Sequence, residues 1–117
     1  MKVAVYGTLR RGFGNHRLLA HSKFLGQTKT EPVFTMYGHV VPWLSNNGTT
    51  SIVVEVYEVD QTTMESLDWL EGYPRFYDRK LIDTEFGEAW IYFIDNRDSG
   101  VIIESGDWAE YRRSVLL

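Results

Sequence analysis

The run Ser51-Ile52-Val53-Val54-Glu55-Val56-Tyr57-Glu58-Val59 most constrains what this chain can fold into. Ile52, Val53, Val54, Val56, Tyr57 and Val59 are apolar and mostly β-branched, which fits a pleated, buried strand. Lys2 to Tyr6 repeats the signature in shorter form and reads as a central strand that stops at Gly7. Phe24-Leu25-Gly26 opens a mostly β region that runs through Val33, Phe34, Met36 and Tyr37 to Val40 and Val41. Tyr77 to Glu85 and Glu88 to Ile94 predict a hairpin around Phe86-Gly87, and Val101-Ile102-Ile103 predicts one more short strand. Trp43 to Thr50, marked by Asn46-Asn47-Gly48, is expected to be a loop, and Asp95 to Gly100 a turn region.

Helical signals are fewer. Asn15 stands as an N-cap before a short helix from His16 to about Ser22. Asp60 or Thr62 caps a second helix, Thr63 to about Leu70, with Thr62 and Glu65 at capping-box spacing. Met64, Leu67 and Leu70 recur at helical intervals, and Gly72 sits where a C′ glycine belongs. A third helix is expected from about Asp107. Strands outnumber helices, so the expected fold is α+β: a small mixed β-barrel with two or three short flanking helices, one domain over residues 1–117.

Composition narrows the function classes. The chain has 117 residues, 44% of them hydrophobic and 15% aromatic, the profile of a globular protein with large rings in a core or a cleft. The absence of cysteine removes disulfides, thiolate nucleophiles and sulfur-ligated metals together. Cytoplasmic location is the expectation, since the apolar residues after Met1-Lys2 are too few for a secretory signal. Pro32 to Val54 spans 23 residues without a formal charge, but Pro42, Asn46, Asn47 and Gly48 exclude a spanning helix. The formal charge of −4 argues against a nucleic-acid partner, which needs a broad basic face.

That charge is unevenly spread. Residues 1–30 hold six Lys/Arg and no acid, whereas residues 31–117 hold six Lys/Arg and all sixteen acids. The basic part includes Gly7-Thr8-Leu9-Arg10-Arg11-Gly12-Phe13-Gly14, whose glycines allow backbone N–H groups to point at a small anion. It is neither a P-loop nor a dinucleotide fingerprint: no Lys-Ser/Thr follows Gly12, and Arg17 stands where a third glycine would be. Two readings stay open, an anion seat and a surface turn with solvated arginines. His16 and His21 are five apart, so they do not share a helix face as metal ligands do, and no metal or cofactor is expected. No Gly-x-Ser-x-Gly elbow is present.

Glu71 stands apart from the other acids. It ends the second helix within Leu67-Asp68-Trp69-Leu70-Glu71-Gly72-Tyr73-Pro74-Arg75-Phe76-Tyr77, among apolar and aromatic groups. Desolvation and the negative helix end would each raise its pKa toward the neutral range that an acid/base catalyst needs. Pairing with Arg75 or Arg79 would act the other way, and a plain solvated helix-end acid is the competing reading. Tyr6, Tyr73, Tyr77 and Tyr92 are either cleft donors or half-buried strand residues.

Tyr6-Gly7-Thr8-Leu9 after a first strand resembles the first motif of the γ-glutamylcyclotransferase-like proteins. Leu67-Asp68-x-x-Glu71-Gly72-x-Pro74-x-x-Tyr77-x-Arg79 resembles their second. Glu88-Ala89-Trp90-Ile91-Tyr92 and Ile103-Glu104-Ser105-Gly106-Asp107-Trp108 extend the likeness to nearly the whole chain. The resemblance implies an enzyme that cyclises a γ-glutamyl group to 5-oxoproline and releases the attached amine, without metal or cofactor. It implies Glu71 as the acid/base, and Tyr6, Gly7, Thr8, Leu9 and Tyr77 as residues that hold a small-molecule γ-glutamyl substrate. Thr8 departs from the serine of many members but keeps the hydroxyl. Some members lack the catalytic acid, so the presence of Glu71 favours activity. The amine side is expected from Trp43 to Thr50 and Arg75-Phe76, with Arg10 and Arg11 in a secondary electrostatic role. The alternatives are a non-catalytic carboxylate-binding protein and another amide-processing enzyme on the same scaffold.

Overall fold

A strand buried on both faces needs a neighbour on each edge and a core on each side, and the first strand has all four. A computed structural model describes residues 1–116. Strand β1 (Lys2–Val5) pairs antiparallel with β5 (Val53–Glu58), Lys2 opposite Glu58 and Val5 opposite Glu55. On its other edge it pairs parallel with β7 (Gly87–Phe93), Val3 opposite Trp90. Strands β2 (Lys23–Lys29) and β6 (Asp78–Thr84) complete a five-stranded sheet of order β2-β5-β1-β7-β6. A second sheet of order β4-β3-β8 is made by β3 (Phe34–Gly38), β4 (Pro42–Thr50) and β8 (Val101–Ile102).

The period of two along β1 divides the interior. Val3 and Val5 face one core with Leu19, Tyr57, Met64 and Leu67, under helix α1 (Gln61–Glu71) and a 3-10 helix, Gly14–Leu19. Ala4 and Tyr6 face the other, with Phe34, Met36 and Leu44 of the second sheet and Trp108 of helix α2 (Trp108–Leu116). Among the described residues no helix is long and apolar enough to cross a membrane.

This is an α+β fold with two mixed or antiparallel sheets and few helices, as expected, but the sheets do not close into a single barrel. β2 and β6 remain as edges of the larger sheet. The predicted loop at Trp43 to Thr50 is instead β4, because Trp43 and Leu44 are buried opposite Tyr37 and Met36. The Asn46-Asn47-Gly48 signal marks a bulge inside that strand: Thr35 pairs with Ser45 and Phe34 with Thr50, so residues 46–49 loop out.

Local signals near the helices also shift. Asp60, not Thr62, caps α1, accepting from the Thr63 amide at 2.7 Å. Glu65 accepts from the Gln61 side chain at 3.2 Å rather than closing a capping box. The expected helix at His16 to Ser22 is the shorter 3-10 helix, with Asn15 inside it.

Candidate active site

Both motif segments meet at the end of β1. Helix α1 stops where Gly72 takes φ 68°, a conformation that costs glycine little. The Gly72 amide donates to the Trp69 carbonyl at 3.2 Å and the Tyr73 amide to the Asp68 carbonyl at 2.9 Å, a Schellman closure. This closure holds Glu71 on the last helical turn, beside the chain leaving β1. Tyr6, Gly7, Thr8, Leu9, Glu71 and Tyr77 all line one cavity of about 240 Å³. The acid and the five residues expected to hold the γ-glutamyl group are therefore brought together.

Residues 7–13 fold into tight turns. The Arg10 amide donates to the Gly7 carbonyl at 3.0 Å, and the Asn15 amide to the Thr8 carbonyl at 3.1 Å. Asn15 also donates from its side chain to Thr8 Oγ1 at 2.9 Å, leaving the threonine hydroxyl proton to be given away. His16 Nδ1 lies 2.9 Å from the Leu9 carbonyl oxygen, so that nitrogen carries the ring proton. Among the described residues no carbonyl or side chain accepts from the amides of Gly7, Thr8 or Leu9. Three backbone donors are thus uncommitted at the cavity wall.

Arg10 is not a solvated arginine. It is 5% exposed, with Nε 3.2 Å from Glu55 Oε2 and Nη1 2.9 Å from Asp107 Oδ1. Glu55 also accepts from the Arg11 amide at 3.0 Å and the Tyr57 hydroxyl at 2.7 Å. Asp107 caps α2, accepting from the Ala109 and Glu110 amides. Arg10 therefore ties the loop to β5 and α2, which makes it a structural strut rather than an electrostatic accessory. Arg11 lies over the Phe24 ring, 3.8 Å from its centroid.

Glu71 has no cationic partner among the described residues. Arg79, the partner that would have lowered its pKa, is held by Asp68 one turn earlier, through bonds of 2.9 and 3.2 Å. The guanidinium also lies between the Tyr73 and Trp90 rings at 4.3 and 4.2 Å. Unpaired and only partly exposed, the Glu71 carboxyl is pushed up to about 7 by desolvation. Desolvation alone accounts for the rise expected from the sequence.

Of the four tyrosines, Tyr6, Tyr77 and Tyr92 line the cavity and Tyr73 does not. Burial is the largest cause raising the pKa of all three, followed by Tyr77 for Tyr6, Glu71 for Tyr77 and Asp68 for Tyr92, so they stay neutral. Their hydroxyl protons are committed: Tyr6 donates to the Tyr92 carbonyl at 2.8 Å, Tyr77 to the Pro42 carbonyl at 2.9 Å, and Tyr92 to Asp68 at 2.9 Å. Their rings form walls rather than donor groups. Asn15, Val41, Pro42 and Leu70 also line the cavity and were missed, because only the tertiary fold brings them to the loop. On the expected amine side Phe76 lines the cavity, but Trp43 to Thr50 does not.

Residues 3–110 match the gamma-glutamyl cyclotransferase, AIG2-like family. A provisionally named gamma-glutamylcyclotransferase of Methanocaldococcus jannaschii is 44% identical over 117 residues, covering 94% of this chain and 97% of that protein. The gamma-glutamylcyclotransferase family protein YtfP of Escherichia coli K12 is 35% identical, covering 94% and 97%. The crystal structure of an uncharacterised protein from Pyrococcus horikoshii superposes with a TM-score of 0.88 at 34% identity, covering 99% of this chain and 96% of that one. By sequence along nearly its whole length, and by fold, this chain belongs to the gamma-glutamyl cyclotransferase, AIG2-like family.

Proposed function

We propose that this protein is a cyclotransferase that converts a γ-glutamyl amine or γ-glutamyl amino acid to 5-oxoproline and the free amine. The observation that carries the reading is Glu71, an unpaired carboxyl with a pKa of about 7, in one cavity with three uncommitted backbone amides. Ionised Glu71 takes a proton from the substrate's α-ammonium. The freed amine attacks the γ-carbonyl carbon, forming the lactam C–N bond. The bond from that carbon to the leaving nitrogen then breaks as Glu71 gives its proton to that nitrogen, and the second proton shed by the attacking nitrogen goes to the freed amine, which departs as an ammonium. No water is consumed and no protein nucleophile is needed.

The amides of Gly7, Thr8 and Leu9 suit a substrate carboxylate or the oxyanion that forms at the γ-carbon. The ring closure is intramolecular, and well-oriented cases reach effective molarities of roughly 10⁵–10⁸ M. Holding the folded conformer against the tyrosine walls would thus supply much of the rate.

The test is product formation. Incubation with a panel of γ-glutamyl amines and amino acids should release 5-oxoproline from at least one. Saturable binding across the panel with no 5-oxoproline would identify a carboxylate-binding protein instead. Geometry at the loop is tested by Gly7→Ala, since a Cβ there would lie 2.8 Å from Pro42 Cγ and 3.1 Å from Cδ. The proline ring cannot swing aside, so the loop must move. The expected loss in kcat/KM is about 10²-fold, as for a displacement near 1 Å at a reacting centre. Unchanged kinetics would show that this approach does not set the site.

A further inference from the structure

The rim of the cavity differs from its floor. Val41, Leu70 and Phe76 line it yet remain substantially exposed, so the outer half of any ligand meets apolar surface. One cation stands beside that surface. Arg97 belongs to the connection between β7 and β8, and its carbonyl accepts from Trp43 Nε1 at 2.9 Å. The bond fixes the backbone beneath the side chain. The guanidinium then lies over the Trp43 ring, 4.6 Å from its centroid, and 5.4 Å from that of Phe76.

Among the described residues no carboxylate lies within ion-pair distance of Arg97. The neighbouring acids are engaged elsewhere: Asp98 accepts from the Tyr37 hydroxyl and Asp95 from the Asn46 amide, each at 3.4 Å. The charge of Arg97 nevertheless reaches the cavity wall, where it opposes the effect of burial and of Glu71 on the Tyr77 hydroxyl. A guanidinium stacked on two rings keeps its N–H edge free, and that edge matches a carboxylate in a bidentate fork.

We infer that Arg97 recognises a carboxylate on the leaving half of the substrate, so the preferred substrates are γ-glutamyl derivatives of apolar amino acids rather than of simple amines. The inference rests on the cyclotransferase reading above and assigns its amine side. Arg97 is exposed, so the selectivity is modest: about fivefold, the upper end of what an ion pair supplies in water-accessible surroundings.

The test compares two substrates that differ only in that carboxylate, γ-glutamyl-leucine and γ-glutamyl-3-methylbutylamide, by release of 5-oxoproline. The wild type should favour the leucine compound by about fivefold in kcat/KM, mainly through KM. In Arg97→Gln the ratio should fall toward one, and Arg97→Lys should retain part of it. Equal wild-type rates on the pair, or a preference that survives in Arg97→Gln, would overturn the role of Arg97 and leave the cyclotransferase standing. No 5-oxoproline from either compound or from the wider panel would overturn the cyclotransferase reading, and this inference with it.

Discussion

Glu71→Gln is expected to lower 5-oxoproline release by at least about 10²-fold, the usual contribution of a positioned acid/base. The wild-type rate should rise with pH through a midpoint near 7, where the carboxyl ionises, and the variant's residual rate should lack that limb. Near wild-type turnover in the variant would remove Glu71 from the reaction. Stability should move the other way. The folded-state pKa of about 7 lies above the ordinary 4.5, so the folded chain holds this proton more tightly than the unfolded one. The resulting stabilisation is complete below pH 4.5 and is lost as pH rises through 7. Glutamine stays neutral throughout, so the variant should be more stable than wild type at pH 8, by about 1–2 kcal/mol after allowance for partial exposure. The gap should shrink at pH 5. Thermal unfolding at the two pH values measures it, and an unchanged gap would mean that Glu71 is solvated.

Glu55→Ala should be strongly destabilising. Glu55 is 5% exposed and serves three donors: the Arg10 guanidinium, the Arg11 amide and the Tyr57 hydroxyl. Its removal leaves a buried guanidinium with only Asp107, and breaking a buried pair in this way costs about 3–5 kcal/mol. Glu55→Gln, which keeps an acceptor, should cost less. Urea unfolding distinguishes them, and a loss below 1 kcal/mol for the alanine variant would show that water replaces the lost contacts. Variant that remains folded at low temperature should also bind substrate less tightly, since Arg10 ties down the turns that present the three amides.

What was legible in the sequence was local. A β-branched strand ending at glycine, and a helix whose last turn carries an acid before a C′ glycine, are short-range patterns, and both motif segments meet where those patterns put them. The fate of the charges was not legible. Arg10 finds its partners 45 and 97 residues away, and no spacing rule reaches that far. Arg79 had two acids within reach, Asp68 and Glu71, and only the path of β6 decides between them. The strand nature of Pro42–Thr50 was hidden because a turn signal sits inside a bulge rather than at an end. Closure of the sheets was equally hidden, since it depends on which edges meet and not on the composition of any strand.

The cavity is built across a seam. The five-stranded sheet and α1 provide Gly7, Thr8, Leu9 and Glu71, whereas Val41 and Pro42 come from the hairpin tip of the smaller sheet. The Tyr77 hydroxyl bond to the Pro42 carbonyl stitches one to the other. The reactive groups and the outer wall thereby come from two sheets that share one core, joined by this bond and by the Ile94 amide donating to the Leu44 carbonyl at 2.8 Å. A hairpin tip can be exchanged more freely than a central strand, so the outer half of the pocket is open to diversification while the reactive half is held constant.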